Sequence, residues 1–182
     1  MRQQIRDEFT AIIAADERER ADLALALAWI DSGAELCRVA KPATPPTHLV
    51  SYFAVIDGPY ILLVDHRNAQ RWLPAGGHVE PGEHPRVTVV RELQEELGFA
   101  CAHPIGAPVF VTASTTVGLT AGHTDVSLWY LIHARRSAPI VFDETEFVQV
   151  CWFHVDDVPL ARAEPHLPRF LAKLQQSGGA AG

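Results

Sequence analysis

Gly77 to Phe99, GHVEPGEHPRVTVVRELQEELGF, is the stretch that most limits what this chain can fold into. Pro85 fits the first turn of a helix, where its missing N–H is no loss, and Gly98 fits the left-handed residue that ends one. The punctuation predicts a helix over Pro85 to Leu97. At about 100° per residue, Glu92, Glu95 and Glu96 then fall within a sector of roughly 100°. Val89, Val90, Leu93 and Leu97 fall on a second face centred roughly 125° away, which gives the helix an apolar side for a core. Carboxylates crowded on one face repel and raise one another's pKa, so a purely structural helix gains nothing from them. A divalent cation removes the conflict, and hard cations such as Mg2+ or Mn2+ take oxygen ligands of this kind.

The spacing is more specific than the acidity. From Gly77 it runs through Glu83, Arg91, Glu92, the aliphatic Leu93, Glu95, Glu96 and Gly98 to the apolar Phe99. This resembles the signature of the Nudix (MutT-like) hydrolase family at every specified position, with a chance match on the order of 10⁻⁷ from average residue frequencies. The resemblance implies an α/β fold: a Nudix-type α/β/α sandwich with a mixed sheet, here carrying an N-terminal helical extension. It also implies divalent-metal-dependent hydrolysis of a diphosphate linkage in a nucleoside di- or triphosphate, or a related derivative, by attack of water at phosphorus. In that reading Glu92, Glu95, Glu96 and the backbone carbonyl of Gly76 hold Mg2+ or Mn2+, and Glu95 or Glu96 deprotonates or orients the water. Gly77 and Glu83 belong to the surrounding network. Arg91, four residues before Glu95, can pair with it across one turn and orient it. Members of the family often add a carboxylate from beyond the helix; Glu144 and Glu146 are the candidates, against the plainer reading of a solvated acidic loop. The competing function is a non-catalytic sensor of a nucleotide metabolite, which the loss of a motif glutamate would have favoured; none is missing.

Composition narrows the ligand. The net charge of −7 and pI near 5.7 give no general attraction to a nucleic-acid polymer or an anionic membrane, so the expected partner is a small phosphorylated substrate, a nucleotide. Cys37, Cys101 and Cys151 are odd in number and fit no zinc spacing, which points to reduced thiols in a cytoplasm. No run approaches a membrane span and MRQQIRDEF lacks a signal's apolar core. At 182 residues the chain suits one domain with an appendage.

The expected organisation is a helical extension over 1–40, a Pro-rich connector over 41–47, a Nudix domain over 48–176 and a flexible tail over 177–182. Residues 2–31 read as helical, a packing or homodimerisation element. Strands are expected at His48–Ile56, Tyr60–His66, Trp72–Pro74, Val109–Thr116, Asp125–His133 and Phe147–His154, with a hairpin turn at Asp57-Gly58-Pro59. Ala75-Gly76-Gly77 reads as a loop bringing backbone close to a ligand, and Pro159–Gln175 as a closing helix. Candidate substrate contacts are Arg67 and Arg71 for phosphate, His123 and Asp125 for substrate or metal, and Trp72, Tyr52, Phe53, Trp129 or Trp152 for stacking on a base, with core packing the default for strand aromatics.

Overall fold

The computed structural model describes residues 1–41, 44–101, 103–116 and 122–178. Its elements are α1 (Arg2–Thr10), α2 (Glu17–Asp31), β1 (Thr47–Asp57), β2 (Tyr60–His66), β3 (Arg71–Leu73), β4 (Ala75–His78), α3 (Pro85–Leu97), β5 (Phe110–Thr115), β6 (Thr124–His133), β7 (Phe147–His154) and α4 (Leu167–Gly178). The sheet is mixed. β1 and β6 run parallel, while β1–β2, β2–β7 and β5–β6 are antiparallel. β1 and β2 pair only near their shared turn and then diverge. The chain from Arg71 to His78 enters the opening, pairing with β2 as β3 and then with β1 as β4. The segment Ala75-Gly76-Gly77 expected as a loop is therefore a strand, and the sheet splits beside the motif helix.

Alternation along the strands sorts residues into two cores. Leu49, Phe53, Val55, Val126, Leu128 and Tyr130 pack with Val89, Leu93 and Leu97 of α3 and with Ile5, Phe9, Ala26 and Ile30 of the N-terminal helices. On the opposite face Ala54, Ile61, Leu63, Phe110 and Trp129 pack with Leu167, Phe170 and Leu171 of α4. Helices thus cover both faces, the α/β/α arrangement expected of the sequence. The extension shares the main core and is tied to α3 by charge: Glu8 accepts from Arg86 at 2.7 and 3.0 Å and from the Tyr130 hydroxyl at 3.3 Å.

Three further expectations need correction. Residues 2–31 are two helices, because Asp16 caps α2 by accepting from the Glu19 N–H at 2.7 Å and so starts a new helix there. The closing helix begins at Leu167 rather than Pro159; the Pro159 and Pro165 breaks leave short 3₁₀ turns at Val155–Asp157 and Leu160–Arg162. Val90 is exposed, since the buried stripe of α3 runs through Val89, Leu93 and Leu97 and leaves Val90 on its flank. By contrast α3 has the expected bounds. His84 caps it, and Gly98, at φ 69°, ends it with its N–H on Gln94 O. The expected tail overlaps the end of α4, and 179–182, like Pro42 and Ala43 of the connector, lie outside the described residues. Among the described residues no helix is long and apolar enough to cross a membrane, and the three cysteines are free thiols.

Candidate active site

A cleft of about 1020 Å³ opens where β1 and β2 part. Its lining includes Gly76, Gly77, Glu92, Glu95, Glu96, Glu146, Arg38, Arg71, Tyr52, His123 and Asp125. The acidic face of α3 forms one wall because its apolar side is committed to the core.

Close backbone approach makes this wall. A Cβ on Gly77 would overlap the Glu92 carboxylate, and one on Gly76, at φ 155°, would overlap Ser51 O and the Tyr52 backbone. Glycine at both positions lets β4 lie against β1 and α3 together. The Gly76 N–H then donates to Glu96 Oε2 at 3.0 Å.

Arg91 organises the remaining acids. Its guanidinium grips Glu83 through two bonds of 3.1 Å, donates to Glu92 at 2.6 Å, to Glu95 at 3.3 Å and to His78 O at 3.3 Å. Burial works against ionisation of Glu83, but bonds from Arg91, Thr88 and the Glu80 N–H outweigh it and hold its pKa below the usual range. Glu83 is thus a fixed charge that fastens Arg91. Glu92 shows the opposite balance: burial, with Glu95 and Glu146 adding repulsion, pushes its pKa up despite Arg91.

Glu96 is the most enclosed of the motif carboxylates. Burial pushes its pKa well up, and Glu92 and Glu146 push it further. Glu146 reaches Glu96 from the segment before β7, within hydrogen-bonding contact. Glu144 does not line the cleft; its carbonyl receives Arg67 Nε at 2.9 Å, which also occupies Arg67 away from the cleft. Arg71 lines the cleft and donates to Ala163 O at 3.1 Å. Trp72 is buried in the second core against Phe153 and lines no part of the cleft, and Trp129 and Phe53 are fully buried. Of the aromatic candidates, Tyr52 is the one on the cleft wall.

The motif carboxylates suit a hard divalent cation. Glu92, Glu96 and Glu146 crowd one another in a partly buried place, and Arg91 reaches only Glu92 of these three. An oxygen-only donor set with unmet negative charge is the chemistry that Mg2+ or Mn2+ satisfies.

The structure also gathers side chains that sequence reasoning did not join. His48 and His78 come to lie with His123 and Asp125 in one group whose ligand atoms are all within 4.8 Å. The signal was present as parity: His48 is second in β1, His78 ends β4, and His123 and Asp125 differ by two. It became readable only with the strand register. Arg38, from the segment ahead of β1, lies close enough to feel both Asp125 and Glu92.

The profile of the NUDIX domain matches residues 47–174. Among curated proteins the chain is 31% identical over 99 residues to the NAD-capped RNA hydrolase NudC of Stutzerimonas stutzeri (strain A1501), an alignment covering 54% of this chain and 32% of that protein. It is 29% identical over 120 residues to the uncharacterized Nudix hydrolase YvcI of Bacillus subtilis (strain 168), covering 63% of this chain and 73% of YvcI. The chain thus spans about a third of the NudC relative's length. Its fold is similar to that of a MutT NUDIX hydrolase from Burkholderia pseudomallei, at TM-score 0.60 and 24% identity, over 70% of this chain and 97% of that one. With the profile covering most of the sequence and the motif residues gathered on one cleft wall, the chain belongs to the Nudix hydrolase family.

Proposed function

We propose that this protein hydrolyses a diphosphate linkage in a nucleoside di- or triphosphate, or a related nucleoside diphosphate derivative, by a divalent-metal-dependent attack of water at phosphorus. The observation that carries the reading is the Glu92–Glu96–Glu146 cluster on the cleft wall, of which Glu96 is buried, at the place where the family motif lies.

Glu92, Glu95 and Glu96, with Glu146 and the Gly76 backbone, would hold Mg2+ or Mn2+. When bound, the ion neutralises phosphate charge and favours in-line displacement. The chain's own residues do the rest. Arg91, fastened by Glu83, holds Glu92 and Glu95 at fixed positions. Glu96 is aimed by the Gly76 N–H. A carboxylate in so enclosed a place is a stronger base than one in water, so Glu96 suits acceptance of a proton from the attacking water better than Glu95, which stands 60% exposed. Arg38 and Arg71 bring positive charge to the cleft for phosphate oxygens, and the Tyr52 ring offers a face to a base. Glu146, rather than Glu144, is the extra carboxylate this geometry favours.

The test is turnover by the full chain with Mg2+ or Mn2+ against nucleoside triphosphates, oxidised deoxynucleotides, ADP-ribose, dinucleotides, nucleotide sugars and NAD-capped RNA, with product identification. The expected result is cleavage of a diphosphate linkage in at least one class. Folded protein that turns over none of them overturns the reading.

A further inference from the structure

The geometry points to a second metal site: His48, His78, His123 and Asp125 bind one divalent transition-metal ion of the zinc class, on the cleft wall and separate from the motif glutamates. This inference does not rest on the hydrolase reading.

Register builds the site. In the parallel β1–β6 pair His48 lies opposite Asp125, and in the antiparallel β1–β4 pair Val50 lies opposite His78. His48 and Val50 share a face, as do His123 and Asp125, because each pair is two residues apart. All four donors therefore project from one face at one end of the sheet.

The separations suit a tetrahedral ion. Bonds of about 2.0–2.1 Å to nitrogen or oxygen place tetrahedral ligand atoms about 3.3 Å apart. His48 Nε2 lies 3.0 Å from His78 Nε2 and 3.2 Å from Asp125 Oδ1, and His123 Nε2 lies 3.4 Å from that same oxygen. His78 Nε2 is farther, at 3.8 Å.

Hydrogen bonding leaves acceptor lone pairs facing one another at this centre. His48 Nδ1 is 2.9 Å from Pro45 O, and a carbonyl can only accept, so Nδ1 carries the hydrogen and Nε2 of the neutral ring presents a lone pair. Arg38 Nη1 stands 3.3 Å from His78 Nε2 and can only donate, which makes that nitrogen an acceptor as well. Asp125 Oδ1 is buried with no hydrogen-bond partner. Lone pairs therefore converge from three sides. Thr116 Oγ1 lies 3.2 Å from His123 Nδ1 and steadies that ring, the kind of outer contact that orients a ligating imidazole. Imidazole nitrogens with one carboxylate select a borderline-soft ion over Mg2+, so the two donor sets of the cleft would be filled by different metals. Arg38 must leave His78 when the ion binds, so the guanidinium and the ion compete for His78 Nε2.

The experiment strips the full chain with a chelator, reloads it with Zn2+ in excess Mg2+, and counts bound zinc after dialysis; Co2+ in place of Zn2+ reports tetrahedral coordination by its ligand-field absorption. One equivalent of zinc is expected in the wild type and in Glu96→Gln. Loss of an outer-shell partner already weakens metal sites about 10–100-fold; His78→Gln and Asp125→Asn, each checked for folding by circular dichroism, should exceed that. Wild-type binding no tighter than that of His78→Gln overturns the proposal and leaves a proton-linked cluster. Zinc lost in Glu96→Gln but kept in His78→Gln overturns it too, because the ion would then belong to the glutamates.

Discussion

The two donor clusters of the cleft are built in opposite ways. Glu92, Glu95 and Glu96 come from one helix, and their mutual geometry follows from spacings of three and four along it. His48, His78, His123 and Asp125 come from separate strand ends and meet only because β1 pairs with β4 on one edge and β6 on the other. The charge balance differs as well. Arg91 provides the carboxylates with a built-in cation that fixes Glu83, Glu92 and Glu95. Asp125 Oδ1 has no such donor. The first cluster can thus hold its shape before a metal arrives, whereas the second, where Arg38 reaches His78 but nothing donates to Asp125 Oδ1, is complete only when an ion fills it.

Replacing Glu96 tests the first half of that contrast with the largest effect. Glu96→Gln keeps the acceptor for the Gly76 N–H and removes a carboxylate whose ionisation the site resists. Turnover with Mg2+ should fall about 100-fold or more, while stability in metal-free buffer should be unchanged or higher. Equal losses of turnover and stability would show that Glu96 holds the wall together and does no chemistry. Glu95→Gln should lower turnover less, because Glu95 is exposed and meets Arg91 at 3.3 Å.

Arg91→Lys sharpens the claim of a built-in cation. A lysine keeps the charge but cannot grip Glu83 through two parallel bonds while reaching Glu92. Chemical denaturation should show a loss of about 1–3 kcal/mol, between the scales for exposed and buried ion pairs, and Mn2+ should restore part of it by taking over the orphaned carboxylates. Full stability without metal would mean the acids need no organiser.

The same contrast explains what could be read from the sequence. The helix bounds, its caps and its acidic face were legible because helical geometry is local; Pro85, Gly98 and the glutamate spacing suffice. The six expected strands are all present, because Asp57-Gly58-Pro59 and the aliphatic runs mark them locally too. β4 was not legible as a strand, since Ala75-Gly76-Gly77 has no strand propensity and pairs only because β1 and β2 diverge there. Trp72 and Arg67 read as ligand contacts, yet where each points depends on tertiary partners: strand residue Trp72 turns into the second core, and Arg67, in the turn after β2, donates to Glu144 O. Glu146 could not be chosen over Glu144 without the turn that carries it to Glu96. His48 and His78 were passed over for the same reason, as each is unremarked in sequence until register sets it beside Asp125.

Glu164 offers a smaller test, because it is a buried carboxyl on the cleft wall that belongs to neither cluster. Burial raises its pKa from 4.5 to about 7, against bonds from the His166 and Leu167 N–H groups. A carboxyl whose folded pKa is raised contributes stability that is full below pH 4.5 and is lost as pH rises through about 7. Wild type should therefore lose up to about 3 kcal/mol relative to Glu164→Gln across that window, with no further difference above it. Urea unfolding of both proteins across the range measures it. The variant keeps an acceptor for the His166 N–H, which Glu164 Oε2 receives at 2.6 Å, so packing is little changed. Repeating the series with Mg2+ separates the sources: a cation on the motif glutamates should flatten the slope that Glu92 and Glu96 share in both proteins, and leave the difference due to Glu164 intact. If Mg2+ abolishes that difference, Glu164 is coupled to the carboxylate cluster, and the cleft holds one continuous acidic network in place of a separate helix-borne set.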